Sequence, residues 1–217
     1  MEIAKSKNII FCDFDGTITL QDTIDSLLQK YADKSWEEIE QEWVAGQIGS
    51  RECLEKQIQC MPIFSEMQFQ EFVDSIEIDE SFINFYKKVL DDGIPFFIVS
   101  DGFDLIIKAV FKKYKLVEPV IYSNKLVNAN DTLIASFPMS NKDLCLVKAG
   151  MCKCSIIEKE KSNIIYIGDG RSDLCASRLA HKLYAKGKLQ KMCDEANRPY
   201  FAFSRFEEID QNFFGRK

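Results

Sequence analysis

The chain has 217 residues, 46% hydrophobic and 29% charged, with a formal net charge of −6. These proportions predict a globular protein with a core of ordinary size, and acids without any Lys/Arg cluster argue against nucleic-acid binding. No apolar run approaches the roughly 18 residues of a membrane span, and Glu2, Lys5 and Lys7 do not fit a secretory leader. The sequence therefore predicts a cytoplasmic protein that does not bind membranes.

The eight cysteines are expected to be reduced thiols, because nothing marks the chain for export. A soft-metal site at Cys145, Cys152 and Cys154 stays open as an alternative, although a fourth ligand is not evident. His181 is the only histidine, which excludes most triads and multi-histidine metal sites. Carboxylate chemistry is what remains.

The first predicted element is a short strand, 9–12, that ends in acids. Four consecutive apolar residues are too few for a helix and indicate a strand buried on both faces, as in a parallel sheet. Asp13 and Asp15 follow this strand, and Gly16 gives the chain freedom to turn there. Ligands of open α/β sheets bind beyond the carboxyl ends of the strands, so these acids predict chemistry at that edge.

The next segment reads as helices and contains no convincing strand. Asp22 is a predicted N-cap, and Ser35 precedes Trp36 and two glutamates in a capping-box pattern. The predicted helices are 23–31, one that follows Ser35, 50–60 and 65–74. We therefore expect residues 21–78 to form a helical cap, inserted into a core of residues 1–20 and 79–217.

The remainder of the chain alternates helices with strands, which predicts an α/β fold with a doubly wound, Rossmann-like parallel sheet. In chain order the predicted elements are helix 80–91, strand 95–99, helix 103–114, strand 119–122, a hairpin of 125–127 and 132–137 joined by 128–131, loop 142–151, helix 153–159, strand 164–167, helix 172–179, and strands 182–185 and 200–203.

Three of these strands end in small or acidic residues. If the strands are parallel neighbours, five side chains converge on one edge of the sheet, namely Asp13, Asp15, Ser100, Asp169 and Asp173. Clustered acids repel one another unless a hard cation lies among their oxygens. The pattern therefore predicts a hard cation such as Mg2+ among these acids.

The motifs DFDGT, VSDG and GDGRSD, with a lysine before the third, resemble the haloacid dehalogenase superfamily of aspartate-nucleophile phosphotransferases over nearly the whole chain. The resemblance implies a phosphatase in which Asp13 attacks phosphorus to form an aspartyl-phosphate and Asp15 serves as acid and then as base. It also implies Mg2+ binding by Asp13, the main-chain carbonyl of Asp15, and Asp169. Asp173 would hold a metal-bound water or orient Lys153.

The second motif is expected to bind the transferring phosphoryl group through the Ser100 side chain and the N–H groups of Asp101 and Gly102. Ser100 could also simply cap the helix over 103–114. Members of the family neutralise the nucleophile with a lysine at a helix start, and Lys153 is the expected residue. The other lysines between the motifs that stay open for this role are Lys142 and Lys148.

The helical cap resembles the phosphoserine phosphatase group, which grips its amino acid with a cap glutamate and a cap arginine. An ungapped alignment places Asp22 and Gln57 at these positions, so the substrate carboxylate loses a contact worth about 1.5 to 3 kcal/mol. Arg51 or Lys56 could replace that arginine. The segments 9–19, 22–28 and 150–153 resemble a methionine-salvage branch, which implies 2-hydroxy-3-keto-5-methylthiopentenyl-1-phosphate as the substrate.

Two further alternatives stay open. Phosphoethanolamine or phosphocholine would suit an acidic cap with Trp36 and Trp43, although tryptophans in such a segment more often belong to the core of the cap. A phospho-receiver signalling domain also places acids and a lysine around one aspartate, but it lacks the helical insertion and the second acid. The expected partner is thus a small phosphorylated metabolite, and a homo-oligomer is neither predicted nor excluded.

Overall fold

The structure, a computed structural model, describes residues 7–129, 132–140 and 148–215. Its strands are β1 (Asn8–Cys12), β2 (Phe96–Phe103), β3 (Val120–Ala129), β4 (Thr132–Ser136), β5 (Asn163–Gly168), β6 (Lys182–Ala185) and β7 (Phe201–Ala202). Its helices are α1 (Thr23–Tyr31), α2 (Trp36–Val44), α3 (Ser50–Gln59), α4 (Glu66–Ser75), α5 (Glu80–Asp91), α6 (Asp104–Lys113), α7 (Lys153–Ile157), α8 (Leu174–Ser177), α9 (Gly187–Glu195) and α10 (Phe206–Phe214), with a 3-10 turn at Arg171–Asp173.

Across the described ranges the sheet has seven strands in the order β4-β3-β2-β1-β5-β6-β7. Neighbouring strands run parallel from β2 through β1, β5 and β6 to β7, while β3 and β4 form an antiparallel hairpin. Four helices lie in sequence between β1 and α5. The predicted α/β class, with a mostly parallel sheet and a helical insertion after the first strand, is confirmed.

The chain divides into two units, the first made of residues 1–20, 78–99 and 153–217 and the second of residues 21–77 and 100–152. The boundaries at 20/21 and 77/78 lie close to those expected for the cap. The separation into a core of 1–20 and 79–217 and a cap of 21–78 stays a prediction. None of the helices in the described part of the chain is long and apolar enough to cross a membrane.

In the first unit β1 lies between β2 and β5 and is parallel to both. Ile10 lies opposite Phe96 on one side, and Cys12 lies opposite Ile167 on the other. Residues 9–12 and 164–167 are all buried, which explains their continuous apolar character. Parallel pairing brings the carboxyl ends of β1 and β5 to the same edge, where the acids of the first and third motifs follow.

Aromatic rings join α5 to α10 in the same unit. The ring centroid of Phe206 lies 4.9 Å from that of Phe82 and 5.4 Å from that of Phe85. Asp79, just before α5, accepts the N–H of Ser81 at 3.0 Å through Oδ1 and the N–H of Phe206 at 2.7 Å through Oδ2. One carboxylate therefore satisfies the first turns of two helices.

The second unit contains α1 to α4, α6 and the β3–β4 hairpin. Helix α3 packs against α2 and β4, and α4 packs against α6. Lys113, in the last turn of α6, donates from Nζ to the carbonyl oxygens of Val73, Asp74 and Ile76. This ammonium satisfies carbonyls that the end of α4 leaves without helical donors.

Two strands are longer than predicted. β2 continues through the second motif to Phe103, and β3 is one strand where the sequence predicts strands 119–122 and 125–127. Buried Ser123 and Asn124 continue β3 rather than interrupt it. Because the N-cap position of α6 is Phe103, the alternative of Ser100 as a helix cap is wrong.

Several helices differ from the sequence-based predictions in their capping, their length or their presence. Asp22 caps α1 as predicted, but Ser35 makes no side-chain capping bond, so the capping box there is wrong. The predicted helix 172–179 is a 3-10 turn followed by the short α8, and neither α9 nor α10 was predicted. Positions 130–131 of the expected hairpin turn, and most of the expected loop 142–151, lie outside the described residues.

Candidate active site

The first acid of the opening motif is buried beside a lysine. Asp13 follows β1, is 5% exposed, and donates its N–H to the carbonyl of Ile167 on β5 at 2.9 Å. Its Oδ1 accepts the N–H of Phe14 at 2.8 Å and lies 2.8 Å from Nζ of Lys153, the first residue of α7. Because Lys153 is only 3% exposed, this ion pair is shielded from water.

Asp173 is held by four donors. Its Oδ1 accepts from Lys153 Nζ at 2.7 Å and from the Tyr166 hydroxyl at 2.5 Å. Its Oδ2 accepts the N–H groups of Asp169 at 3.0 Å and Gly170 at 2.9 Å. The carboxylate is fully buried, so it fixes both the loop after β5 and the ammonium of Lys153.

The third acid, Asp169, lies against the turn of the first motif. The hydroxyl of Thr17 donates to its Oδ1 at 2.8 Å. Gly16 has φ +69°, and a Cβ there would lie 2.7 Å from Oδ2 of Asp169. The glycine of DFDGT is therefore required both by its left-handed backbone and by the closeness of this carboxylate.

One oxygen from each of Asp13, Asp169 and Asp173 lies within 4.8 Å of the others. Burial, reinforced by the charge of Asp173, raises the pKa of Asp13 well above its ordinary value despite the ammonium of Lys153. Burial and the same charge also raise the pKa of Asp169. Burial is the main cause for both carboxyls and the charge of Asp173 adds to it, so a bound cation would favour their ionised forms.

Asp15 is half-buried on the turn between Asp13 and Gly16. Of the three lysines considered for the nucleophile, Lys153 is the one with a contact to Asp13 in the described residues. Lys148 lies in the second unit, where its carbonyl accepts the N–H of Arg51 at 3.1 Å. Lys142 lies outside the described residues.

The second motif lies in the second unit. Ser100 is fully buried, and its Oγ accepts the N–H of Gly102 at 2.8 Å. Asp101 accepts the N–H of Met151 through Oδ1 at 2.8 Å, and its carbonyl accepts from Asn124 Nδ2 at 2.6 Å. These bonds order the backbone of the motif, and its role toward a phosphoryl group stays a prediction.

The two predicted cap residues have structural partners. Asp22 is exposed and caps α1 by accepting the N–H groups of Ile24 and Asp25. Gln57 is buried, with its Nε2 donating to Oε2 of Glu40 at 2.9 Å. A role for either side chain in substrate binding stays a prediction.

The cysteine alternative gains no support from the described residues. Cys152 is buried and Cys154 half-buried, and neither forms a disulfide within the described residues. Cys145 lies outside the described residues. The candidate metal cluster found in the described ranges consists of aspartates alone.

Sequence reasoning missed three residues around the acids: Thr17, Tyr166 and Lys186. Thr17 belongs to the DFDGT motif and could have been singled out there. Tyr166 reads as one more apolar residue of a buried strand, so its hydroxyl contact could not be foreseen. Lys186 lies near Asp169 and Asp13; burial lowers its pKa, while the charge of Asp169 acts in the opposite direction.

A family model for haloacid dehalogenase-like hydrolases matches residues 10–178. The chain belongs to this family, and the match includes all the acids of the site. The predicted recognition and enzyme class, a phosphatase of the haloacid dehalogenase superfamily, are confirmed. The alternative of a phospho-receiver domain is thereby set aside.

Curated relatives of similar length include the 2-hydroxy-3-keto-5-methylthiopentenyl-1-phosphate phosphatases of Bacillus cereus (strain ATCC 14579) and Bacillus anthracis (strain A0248). Each is 29% identical over 204 residues, which cover 92% of this chain and 93% of the relative.

Solved structures with the same fold include a phospho-aspartyl intermediate analogue of phosphoserine phosphatase, with TM-score 0.72 and 20% identity. A substrate-bound phosphoserine phosphatase complex has TM-score 0.73 and 19% identity. Each comparison covers 96% of this chain and 99% of the other. At this identity the likeness concerns the fold.

Proposed function

We propose that the protein hydrolyses a phosphomonoester of a small metabolite with Mg2+, through an aspartyl-phosphate on Asp13. The observation that carries the proposal is the buried ion pair of Asp13 with Lys153, beside Asp169 and Asp173 at one edge of a parallel sheet. A carboxylate nucleophile next to a positive charge can approach a phosphoryl group that would otherwise repel it. Membership of the family, whose phosphatases use this chemistry, supports the same conclusion.

Asp13 is the proposed nucleophile. The N–H of Phe14 and the ammonium of Lys153 hold its Oδ1, so we assign the attack on phosphorus to Oδ2. The P–O bond to the leaving group breaks as the bond from Asp13 to phosphorus forms. Lys153 offsets charge on the nucleophile and the transferred group, and Asp173 keeps the ammonium in place.

Asp15 is the proposed acid and base. In the first step it gives a proton to the departing oxygen, and in the second it takes a proton from the water that attacks the aspartyl-phosphate. The attack of that water releases inorganic phosphate and restores Asp13. What supports this role is the half-buried position of Asp15, two residues beyond the nucleophile on the same turn.

The donor set fits Mg2+, because carboxylate oxygens are the ligands that this ion prefers and the acids outnumber the lysine beside them. Asp13, the main-chain carbonyl of Asp15 and Asp169 would hold the ion. Bound there, Mg2+ would neutralise charge that develops on the phosphoryl oxygens. The four donors around Asp173 suit a residue behind the metal rather than a ligand to it.

Ser100 and the N–H groups of Asp101 and Gly102 are proposed to bind the phosphoryl oxygens. Support comes from the buried, ordered backbone of this motif. The N–H of Gly102 donates to Ser100 Oγ at 2.8 Å, so this N–H would exchange that bond for one to a phosphoryl oxygen.

The proposed substrate is 2-hydroxy-3-keto-5-methylthiopentenyl-1-phosphate. The relatives that act on it match 92% of this chain at 29% identity. Phosphoserine is the second candidate, because phosphoserine phosphatases share the fold. Gln57 counts against it, since a neutral side chain already bonded to Glu40 is a poor partner for a carboxylate.

The experiment is hydrolysis of p-nitrophenyl phosphate by the purified protein, with MgCl2 and with EDTA. Asp13→Asn should abolish turnover and leave the circular dichroism spectrum unchanged. Asp91→Asn, a control at an exposed position, should hydrolyse the ester at the wild-type rate. Turnover by Asp13→Asn would refute covalent catalysis at this residue. A comparison of kcat/KM for the two candidate substrates and phosphoethanolamine then decides among substrates.

A further inference from the structure

Lys186 is a second lysine beside the acids, and nothing in the proposed reaction uses it. It follows β6 and is half-buried. Its Nζ donates to the carbonyl of Thr17 at 3.1 Å and lies 5.3 Å from the centre of the Phe203 ring. A lysine ammonium that bonds a loop carbonyl fixes that loop, because the bond is charge-assisted and partly shielded from water.

The carbonyl that Lys186 holds belongs to a residue that touches the acid cluster. Thr17 is fully buried, and its hydroxyl donates to Oδ1 of Asp169 at 2.8 Å. The amine of Lys186, the backbone of Thr17 and the carboxylate of Asp169 thus form a continuous set of contacts. A shift of Thr17 would change the orientation of Asp169.

The backbone around Lys186 contacts the other loop of the site. Its N–H donates to the carbonyl of Gly168 at 3.2 Å, and the N–H of Leu189 donates to the carbonyl of Asp169 at 2.7 Å. Gly187 has φ +58°, and a Cβ there would lie 3.2 Å from that carbonyl. The turn therefore lies directly against the loop that follows β5.

We propose that Lys186, with the turn at Gly187, is a brace that holds the loop after β1 against the loop after β5. Lys186 is then a positioning residue: it keeps Asp169 aligned with Asp13 through Thr17 and does not touch the substrate. The inference rests on the proposed metal-dependent function for its effect on turnover. Its structural part concerns the two loops alone.

The test compares Lys186→Met, which keeps the apolar stem and removes the ammonium, with Lys188→Met, an exposed lysine two residues further along. Residues that orient metal ligands typically contribute tenfold or more to metal affinity or activity. For Lys186→Met we expect kcat for p-nitrophenyl phosphate to fall about tenfold and the Mg2+ concentration for half-maximal activity to rise about tenfold, with KM nearly unchanged. Lys188→Met should match the wild type.

A second readout does not need activity. In the metal-free protein, amide hydrogen exchange of residues 14–19 should be faster in Lys186→Met than in Lys188→Met, because the loop has lost a constraint. Lys186→Arg, which keeps a donor, should restore most of the protection and most of kcat, and it carries the test if Lys186→Met does not fold.

Three results would overturn the inference: equal exchange and kcat in the two methionine variants, a raised KM with unchanged kcat, or a lower melting temperature with no change in Mg2+ dependence. The first removes the brace, the second makes Lys186 a substrate contact, and the third makes it a packing residue. If instead the wild type hydrolyses no phosphate ester with Mg2+, the proposed function fails, while the exchange experiment still decides on the brace.

Discussion

Replacement of Asp173 by Asn tests how much of the site depends on one buried charge. The asparagine has almost the same shape but offers one oxygen and one NH2 group to the four donors that surround Asp173. If the oxygen faces the N–H groups of Asp169 and Gly170, the NH2 group faces Lys153. The tyrosine hydroxyl can turn to accept a bond, but an ammonium cannot.

The expected cost follows from this geometry. The loss of one partner of a buried ion pair typically costs about 3 to 5 kcal/mol, because the other charge stays buried. Lys153 keeps its contact with Asp13 at 2.8 Å, so we expect the lower end, about 3 kcal/mol of the free energy of unfolding. Hydrolysis should also fall, because Lys153 can then shift.

The assay is urea unfolding in EDTA, followed by far-ultraviolet circular dichroism, because this signal comes from the backbone of both units, whereas both tryptophans lie in the second unit. A double-mutant cycle with Lys153→Met isolates the pair, and its coupling should be about 1 kcal/mol or more. Asp91→Asn, on the exposed face of α5, is the control. Additive effects, or an Asp173→Asn protein as stable as the control, would show that the ion pair contributes nothing.

Two further predictions concern residues outside the ion pair. Asp79→Ala should lower the free energy of unfolding by about 1 to 2 kcal/mol, because this carboxylate satisfies the first turns of α5 and α10. Burial acts to raise the pKa of the Asp79 carboxyl, but the hydrogen bonds from Ser81 and Phe206 outweigh it, so the pKa in the folded protein is lowered. The stabilisation by Asp79 is therefore fully present above the unfolded pKa of about 3.9 and is lost as the pH falls through the lower folded value. Urea unfolding at pH 7 and pH 3 checks it, and a pH-independent difference between wild type and variant would contradict it. Gly16→Ala should abolish hydrolysis, because the added Cβ would meet Asp169. The control, Gly93→Ala, has φ +63° and open space around it, so it should lose only about 1 kcal/mol of stability. Activity assays and urea unfolding of both variants test this, and an active Gly16→Ala protein would refute the close approach to Asp169.

The roles of the acids differ because of their partners rather than their residue type. Asp173 accepts hydrogen bonds from four donors, whereas Asp169 accepts one from the hydroxyl of Thr17 and faces the turn of the first motif. These partners support the roles proposed above, in which Asp173 orients Lys153 and Asp169 offers an oxygen to the metal. Burial, together with the charge of Asp173, raises the pKa of both Asp13 and Asp169.

The sequence by itself determined the strands that carry the site. A strand buried on both faces is apolar at every position, and residues 9–12 and 164–167 show this without knowledge of any partner. The acids could be named because each apolar run stops at them. The predicted bounds of α5 agree with the observed ones, and the cap of this helix, Asp79, is local.

Only the tertiary structure decided which lysine meets Asp13, and it alone revealed α9 and α10. In neither helix does the N-cap side chain make a capping bond, although Glu208 in the first turn of α10 accepts the N–H groups of Ser204 and Arg205. Asp79 accepts the N–H of Phe206 from 127 positions away, and the carbonyl of Asp169 accepts the N–H of Leu189. A capping residue that lies next to the helix in the sequence can be predicted, but a cap supplied by a distant loop forms only when that loop has folded into place.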